Sequence, residues 1–96
     1  MGNGVNVTTL ELIESRLREQ LEPIHLEIHD DSAKHAGHRG ATSAGGHYRL
    51  VIVSAAFDGK TLIERHRLVN ETVRDLFGPQ IHALSMRTLT PDQWRD

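Results

Sequence analysis

Residues 50–53, Leu-Val-Ile-Val, constrain the fold of this chain most strongly, because four consecutive positions are apolar. Neighbouring side chains of a β-strand point to opposite faces of a sheet, so such a run is typical of a strand covered on both faces. We therefore predict a central strand over residues 47–54. With 96 residues, the chain has the size of one domain with a modest core.

Two segments that precede this strand have clear periodicity. Thr8 and Glu11 have the spacing of a capping box, and apolar residues at helical spacing follow as far as residue 21. Pro23 is expected to end this helix. Apolar and polar residues then alternate over 24–29, which indicates a half-buried strand.

The second half of the chain predicts a helix, a strand and a short final helix. The second helix is expected to start at Thr61 and to end near residues 78–79, Gly-Pro. Its predicted apolar stripe is Leu62, Val69, Val73 and Leu76. Residues 81–88 predict a third strand. Residues 90–93, Thr-Pro-Asp-Gln, predict a short terminal helix that carries Trp94. The predicted order is α-β-β-α-β-α.

The domain organisation follows from these elements. Residues 1–7 are expected to be a flexible N-terminus and residues 8–96 a single domain. A long flexible loop of about 30–46, rich in Gly, separates the first two strands. Structureless loops of this length inside a compact domain are uncommon and often functional.

Histidines are the main candidates for chemistry, because the chain has seven of them and no cysteine. The lack of cysteine excludes disulfides and a self-contained thiolate site for zinc or an iron–sulfur cluster. His35 and His38 in the loop are either exposed metal ligands or solvated polar residues. His82, at the start of the last strand, is either a ligand or a packed structural residue.

A second candidate site is the basic corner at the start of the second helix. Lys60, Arg65 and Arg67 could contact phosphates, and we predict that both arginines point outward while His66 packs on the apolar stripe. The net charge of −2 limits such a site to a local patch. No catalytic constellation is present, so we expect a protein that is not an enzyme. No segment predicts a membrane span, and a cytoplasmic protein is expected.

Several runs together resemble the BolA-like family, in its bacterial form. They are His-Ala-Gly-His at 35–38, Tyr-Arg-Leu-Val-Ile-Val-Ser at 48–54, Phe-Asp-Gly-Lys at 57–60, Arg-His-Arg-Leu-Val at 65–69, Ile-His-Ala-Leu at 81–84 and Thr-Leu-Thr-Pro-Asp-Gln-Trp at 88–94. The resemblance implies an α+β fold similar to class II KH domains. In that fold, helices pack on one face of a three-stranded mixed sheet, and a short helical turn at 57–60 precedes the long helix.

The resemblance also implies a partner and a cofactor. The expected partner is a monothiol glutaredoxin, with which the protein would share a [2Fe–2S] cluster; the other thiolates would come from the glutaredoxin and from glutathione. The implied ligands in this chain are His82 and His38, with His35 as the alternative to His38. The isolated chain is expected to carry no cluster and to be a monomer or weak homodimer. Some family members bind DNA, for which Lys60, Arg65 and Arg67 would be the natural contacts.

Overall fold

A computed structural model of the protein describes residues 8–32 and 46–94. The elements that lie wholly within these residues are two α-helices, three strands and two short 3₁₀ turns. In chain order these are α1 Thr9–Leu21, β1 His25–Asp30, β2 Gly46–Val53, a 3₁₀ turn Ala55–Phe57, α2 Leu62–Thr72, a 3₁₀ turn Arg74–Leu76 and β3 Ile81–Leu89. The short helical turn that the family resemblance implied at 57–60 is found slightly earlier in the chain, at Ala55–Phe57.

The three strands form one mixed sheet in the order β1-β2-β3. β1 pairs with β2 in antiparallel fashion, while β2 and β3 are parallel. The prediction of a central strand from the apolar run in β2 is confirmed, and so is the α+β class with a three-stranded mixed sheet.

The boundaries of α1 follow from its capping residues. The Thr8 hydroxyl accepts a hydrogen bond from the Glu11 amide, and the Glu11 carboxylate accepts one from the Thr8 amide. A cap of this kind contributes about 1 kcal/mol to helix stability. The helix ends at Glu22, whose φ of 43° is left-handed, immediately before Pro23. The capping box and helix predicted for residues 8–21 are confirmed.

The apolar stripe predicted for the second helical segment is confirmed at Val69, Val73 and Leu76, which are buried, but not at its first residue. The inward face of α2 carries Arg65 and Val69, whereas Leu62, predicted to lie on the apolar face, is 62% exposed. His66, expected on the buried stripe, is only half-buried. The prediction that Arg65 points outward is wrong: its side chain lies inside, because backbone and amide oxygens from three segments accept its hydrogen bonds.

Two predictions about helix ends also need correction. The α-helical part of α2 stops at Thr72 and a 3₁₀ turn follows, so the helix ends earlier than the Gly78-Pro79 signal suggested. The expected C-terminal helix is not found in the part of the chain that the structure describes. Thr90 and Gln93 do form reciprocal capping bonds, but residues 91–93 make only a turn.

Helices and sheet enclose one core. The largest fully buried side chain is Phe57, from the 3₁₀ turn. Around it pack residues of α1, of alternate positions in β2, of α2 with the following turn, and of the start of β3. They are Ile13, Leu17, Leu21, Tyr48, Leu50, Ile52, Val69, Val73, Leu76 and Ile81. Truncating a side chain such as Leu50 to Ala would destabilise the fold by about 2–5 kcal/mol.

Candidate functional site

The first candidate site lies at the end of the sheet where β2 and β3 begin. Parallel pairing brings these two starts together, with Gly46 opposite Ile81 and His47 opposite Ala83. One residue of β3, His82, therefore has no register partner, and the pairing shifts at this point. Bulges of this kind interrupt the alternation of a strand and redirect a side chain.

The bulge places two imidazoles against each other. The ring centroids of His47 and His82 are 5.1 Å apart, and the ring planes are tilted by 35°. His82 is exposed and His47 is half-buried, so the pair faces the surface. Neutral imidazole nitrogens are good ligands for iron, zinc and copper, so this edge offers two nitrogen donors to a metal group.

The backbone around His47 is held from both sides. Its amide donates to the hydroxyl of Ser32 at 3.0 Å, and its carbonyl accepts from the amide of Asp31 at 2.8 Å. The amide of Gly46 donates to the carbonyl of Gln80 at 3.0 Å. These bonds link the start of β2 to the end of β1 and to the segment before β3. They therefore hold in place the backbone that carries the His47 side chain.

Glycine is required at position 46 by close approach of its neighbours. A Cβ there would lie 2.7 Å from the Ser32 hydroxyl, and 2.8 Å from the nearest ring carbon of Tyr48. Both distances are below van der Waals contact. Gly46 thus allows β2 to start directly beside Ser32.

The sequence-predicted ligands are only partly described by the structure. His82 lies near the start of the last strand as expected. His35 and His38 lie outside the described residues. Within residues 8–32 and 46–94, no group of three or more potential metal ligands converges. Sequence reasoning missed His47 as a candidate ligand; its place at the start of the predicted second strand was a signal for it.

The basic corner does not form one surface. Lys60 and Arg67 are exposed, but Arg65 is only 8% exposed. Its Nε donates to the Lys60 carbonyl at 2.9 Å, and its Nη1 donates to the carbonyl of Thr88 at 3.3 Å and to Oε1 of Gln93 at 2.9 Å. Arg65 therefore joins the start of α2 to the end of β3, and only the other two predicted contacts face solvent.

Two further histidines, His25 and His29, lie on β1. The Glu27 carboxylate bonds to Nε2 of His25 at 2.7 Å and of His29 at 3.3 Å. These bonds, the one from His25 first, lower the pKa of Glu27 below its ordinary value. The His25 ring also stacks on Trp94, with centroids 4.5 Å apart. This group lies on one strand and towards the other end of the sheet, where His25 pairs with Val53.

The sequence matches the BolA-like protein family over residues 17–93. The chain belongs to the BolA-like family. It is 43% identical over 84 residues to BolA-like protein 2 of Mus musculus, an alignment covering 88% of this chain and 87% of that protein. It is also 35% identical over 95 residues to BolA-like protein 1 of Homo sapiens, covering 99% of this chain and 67% of that protein.

A BolA-like unit also occurs inside a longer relative. The chain is 41% identical over 98 residues to SufE-like protein 1, chloroplastic/mitochondrial, of Arabidopsis thaliana. This alignment covers 93% of the chain but only 26% of that relative, so the chain spans about a quarter of it.

Solved BolA structures share the fold. BolA1 from Arabidopsis thaliana superimposes with a TM-score of 0.82 at 34% identity, covering 95% of this chain and all of that one. The BolA domain of SufE1 from the same organism superimposes with a TM-score of 0.78 at 39% identity. The superposition covers 94% of this chain and 100% of that domain. In the described part of this BolA-like chain, no helix has the length and apolar character needed to cross a membrane.

Proposed function

We propose that this BolA-like protein is a non-enzymatic cytoplasmic partner of a monothiol glutaredoxin, with which it shares a [2Fe–2S] cluster in iron–sulfur handling or iron homeostasis. The observation that carries the proposal is the pairing of the His47 and His82 rings at one end of the sheet. Membership of the BolA-like family and similarity to SufE-like protein 1 are consistent with a role linked to iron–sulfur proteins.

The donor set suits a shared cluster. Most [2Fe–2S] clusters have four cysteine ligands, but in Rieske centres two histidines replace two cysteines on one iron. This chain has no cysteine, so its contribution has to come from other side chains, and the thiolates have to come from glutaredoxin and glutathione. Histidine ligation raises the reduction potential relative to an all-thiolate cluster.

His82 is the first ligand in this proposal. The second is a histidine of the segment that leads into β2: His38, its neighbour His35, or His47 at the start of the strand. His47 is the candidate for which the structure supplies geometry, since its ring lies beside that of His82. Because a protonated imidazole cannot bind a metal, cluster sharing is expected to weaken at mildly acidic pH.

The test mixes this protein with a monothiol glutaredoxin, glutathione, ferrous iron and sulfide. Formation of the shared cluster is followed by visible absorption and circular dichroism. His82→Ala is expected to change both spectra and to shorten the lifetime of the cluster. The same comparison with His35→Ala, His38→Ala and His47→Ala identifies the second ligand.

His29→Ala is the matched control, because His29 is an exposed histidine of the same sheet whose described partner is Glu27. It should leave the spectra unchanged. A His82→Ala complex with wild-type spectra and lifetime would show that the ligand assignment is wrong.

A further inference from the structure

A groove at the other end of the sheet is separate from the histidine pair. It runs between the start of α2, the second half of β3 and the turn that follows β3, and its volume is about 370 Å³. Its lining includes the apolar side chains of Leu62, Met86 and Leu89, with Arg65, Arg87 and Thr88 beside them. Pockets that bind small molecules fall in this size range and are mostly apolar with a few polar groups.

The buried arginine in this groove has hydrogen bonds but no acidic partner among the described residues. Arg65 uses Nε and Nη1 to bond to three oxygens, all of them from neutral carbonyl or amide groups. A guanidinium has five N–H donors, and in the described part of the chain no bond is made by Nη2. A buried charge is costly unless a group of opposite charge pairs with it. The Arg65 side chain is therefore set to receive an anion.

The rest of the lining favours an anion that also has an apolar part. Leu62 is 62% exposed at the mouth, and Met86 and Leu89 are half-buried. None of the described lining residues carries a carboxylate, while Arg87 adds an exposed positive charge. A bare phosphate or a nucleic-acid backbone would leave this apolar surface uncovered.

We propose that this groove binds a small organic carboxylate with an apolar body. The carboxylate would lie against Nη2 of Arg65, and the apolar part would cover Leu62, Met86 and Leu89. This binding site requires no metal and no glutaredoxin, so it is independent of the function proposed above.

The test is an NMR titration of the full chain with sodium hexanoate, a carboxylate with a short apolar tail. We expect saturable shifts of the Arg65 side-chain N–H signals and of the methyl signals of Leu62, Met86 and Leu89. Hexanamide has the same shape without the charge and should bind at least about tenfold more weakly, because bonds from arginine to a charged acceptor are roughly twice as strong as neutral ones.

Arg65 helps to hold the fold, so the variant is made elsewhere in the groove. Arg87→Glu should weaken hexanoate binding about threefold to tenfold, as expected for reversing an exposed charge beside the ligand. Arg74→Glu is the matched control: Arg74 is also exposed and does not line the groove.

The proposal is wrong if hexanoate gives no saturable shifts in the groove, or if hexanamide binds equally well. It is also wrong if Arg87→Glu and Arg74→Glu have the same effect. Groove shifts caused by a single-stranded oligonucleotide or inorganic phosphate but not by hexanoate would assign the groove to phosphate groups instead.

Discussion

The His25 ring stacks on the Trp94 indole, with centroids 4.5 Å apart and an interplanar angle of 22°. Because His25, Val53 and Leu89 occupy one rung of the sheet, the turn after β3 has to cross back over β2 to reach β1. The stack therefore fixes the described end of the chain to the strand farthest from β3, at the sheet end opposite the His47–His82 pair.

Trp94 fluorescence should report this contact, since Trp94 is the only tryptophan. Removing the stacked ring in His25→Ala exposes one face of the indole to water, so we expect the Trp94 emission to move to longer wavelength. His66→Ala, which removes an imidazole on α2, should leave the emission unchanged. Identical emission from His25→Ala and the unmodified chain would rule out the stack.

Acid stability should depend on the ion pair between α1 and the 3₁₀ turn after α2. Arg16 donates two hydrogen bonds to Asp75, at 2.6 and 2.8 Å, and these lower the pKa of Asp75 from 3.8 to about 2. A carboxyl whose pKa is lower in the folded state stabilises the fold above its unfolded pKa, and this contribution is lost as the pH falls through the folded value. Asp75 should therefore contribute fully above about pH 4 and progressively less down to about pH 2.

Urea unfolding of Asp75→Asn measures this effect. The variant should be less stable than the unmodified chain at neutral pH, and the difference should shrink as the pH is lowered from 4 to 2. Glu71→Gln is a suitable control, because Glu71 forms only a longer, exposed ion pair with Arg74 at 3.6 Å. A stability difference that stays constant over this pH range would contradict the assignment.

Local sequence patterns predicted the elements whose causes are local. The capping box at Thr8 and the apolar run at 50–53 both depend on residues close in sequence, and the structure has the helix and the central strand that they predicted. The burial of Arg65 depends on Thr88 and Gln93, which reach it only through the tertiary fold. No periodicity could indicate these contacts, and an arginine next to apolar positions was therefore expected to point outward.

The histidine site shows the same limit. Sequence alone placed His82 near the start of a strand, but the His47 ring reaches it through a register shift between two parallel strands. A register shift depends on how two distant segments pair, and neither segment carries a sign of it. The predicted loop ligands His35 and His38 remain predictions.

Removing the unpaired hydroxyl of Thr88 should not destabilise the protein. Thr88→Val keeps the shape of a buried side chain and removes an Oγ1 that has no partner among the described residues. Leaving a buried polar group unsatisfied costs about 1–3 kcal/mol, so we expect urea unfolding to show unchanged or higher stability, by up to about 1 kcal/mol. Thr72→Val is the control that should lose stability, because the Thr72 hydroxyl donates to the Leu68 carbonyl at 2.8 Å. A loss of more than about 1 kcal/mol in Thr88→Val would mean that the hydroxyl has a stabilising partner.

Gly46→Ala should damage both stability and the histidine pair. The added Cβ would meet the Ser32 hydroxyl and the Tyr48 ring at less than 3 Å, so the Ser32 and Tyr48 side chains or the start of β2 would have to shift. Overpacking of this kind costs about 1–3 kcal/mol. Because the His47 amide donates to the same Ser32 hydroxyl, the movement should also change the NMR signals of the His47 and His82 rings.

Gly59→Ala separates this steric effect from a general glycine effect. Gly59 has a φ of 76° and nothing within 4 Å of an added Cβ, so its substitution adds only backbone strain, about 1–2 kcal/mol. Both variants should unfold at lower urea concentration, but only Gly46→Ala should alter the His47 and His82 ring signals. If Gly59→Ala changes those signals equally, or if Gly46→Ala leaves them intact, the close contact at Gly46 does not position the histidine pair.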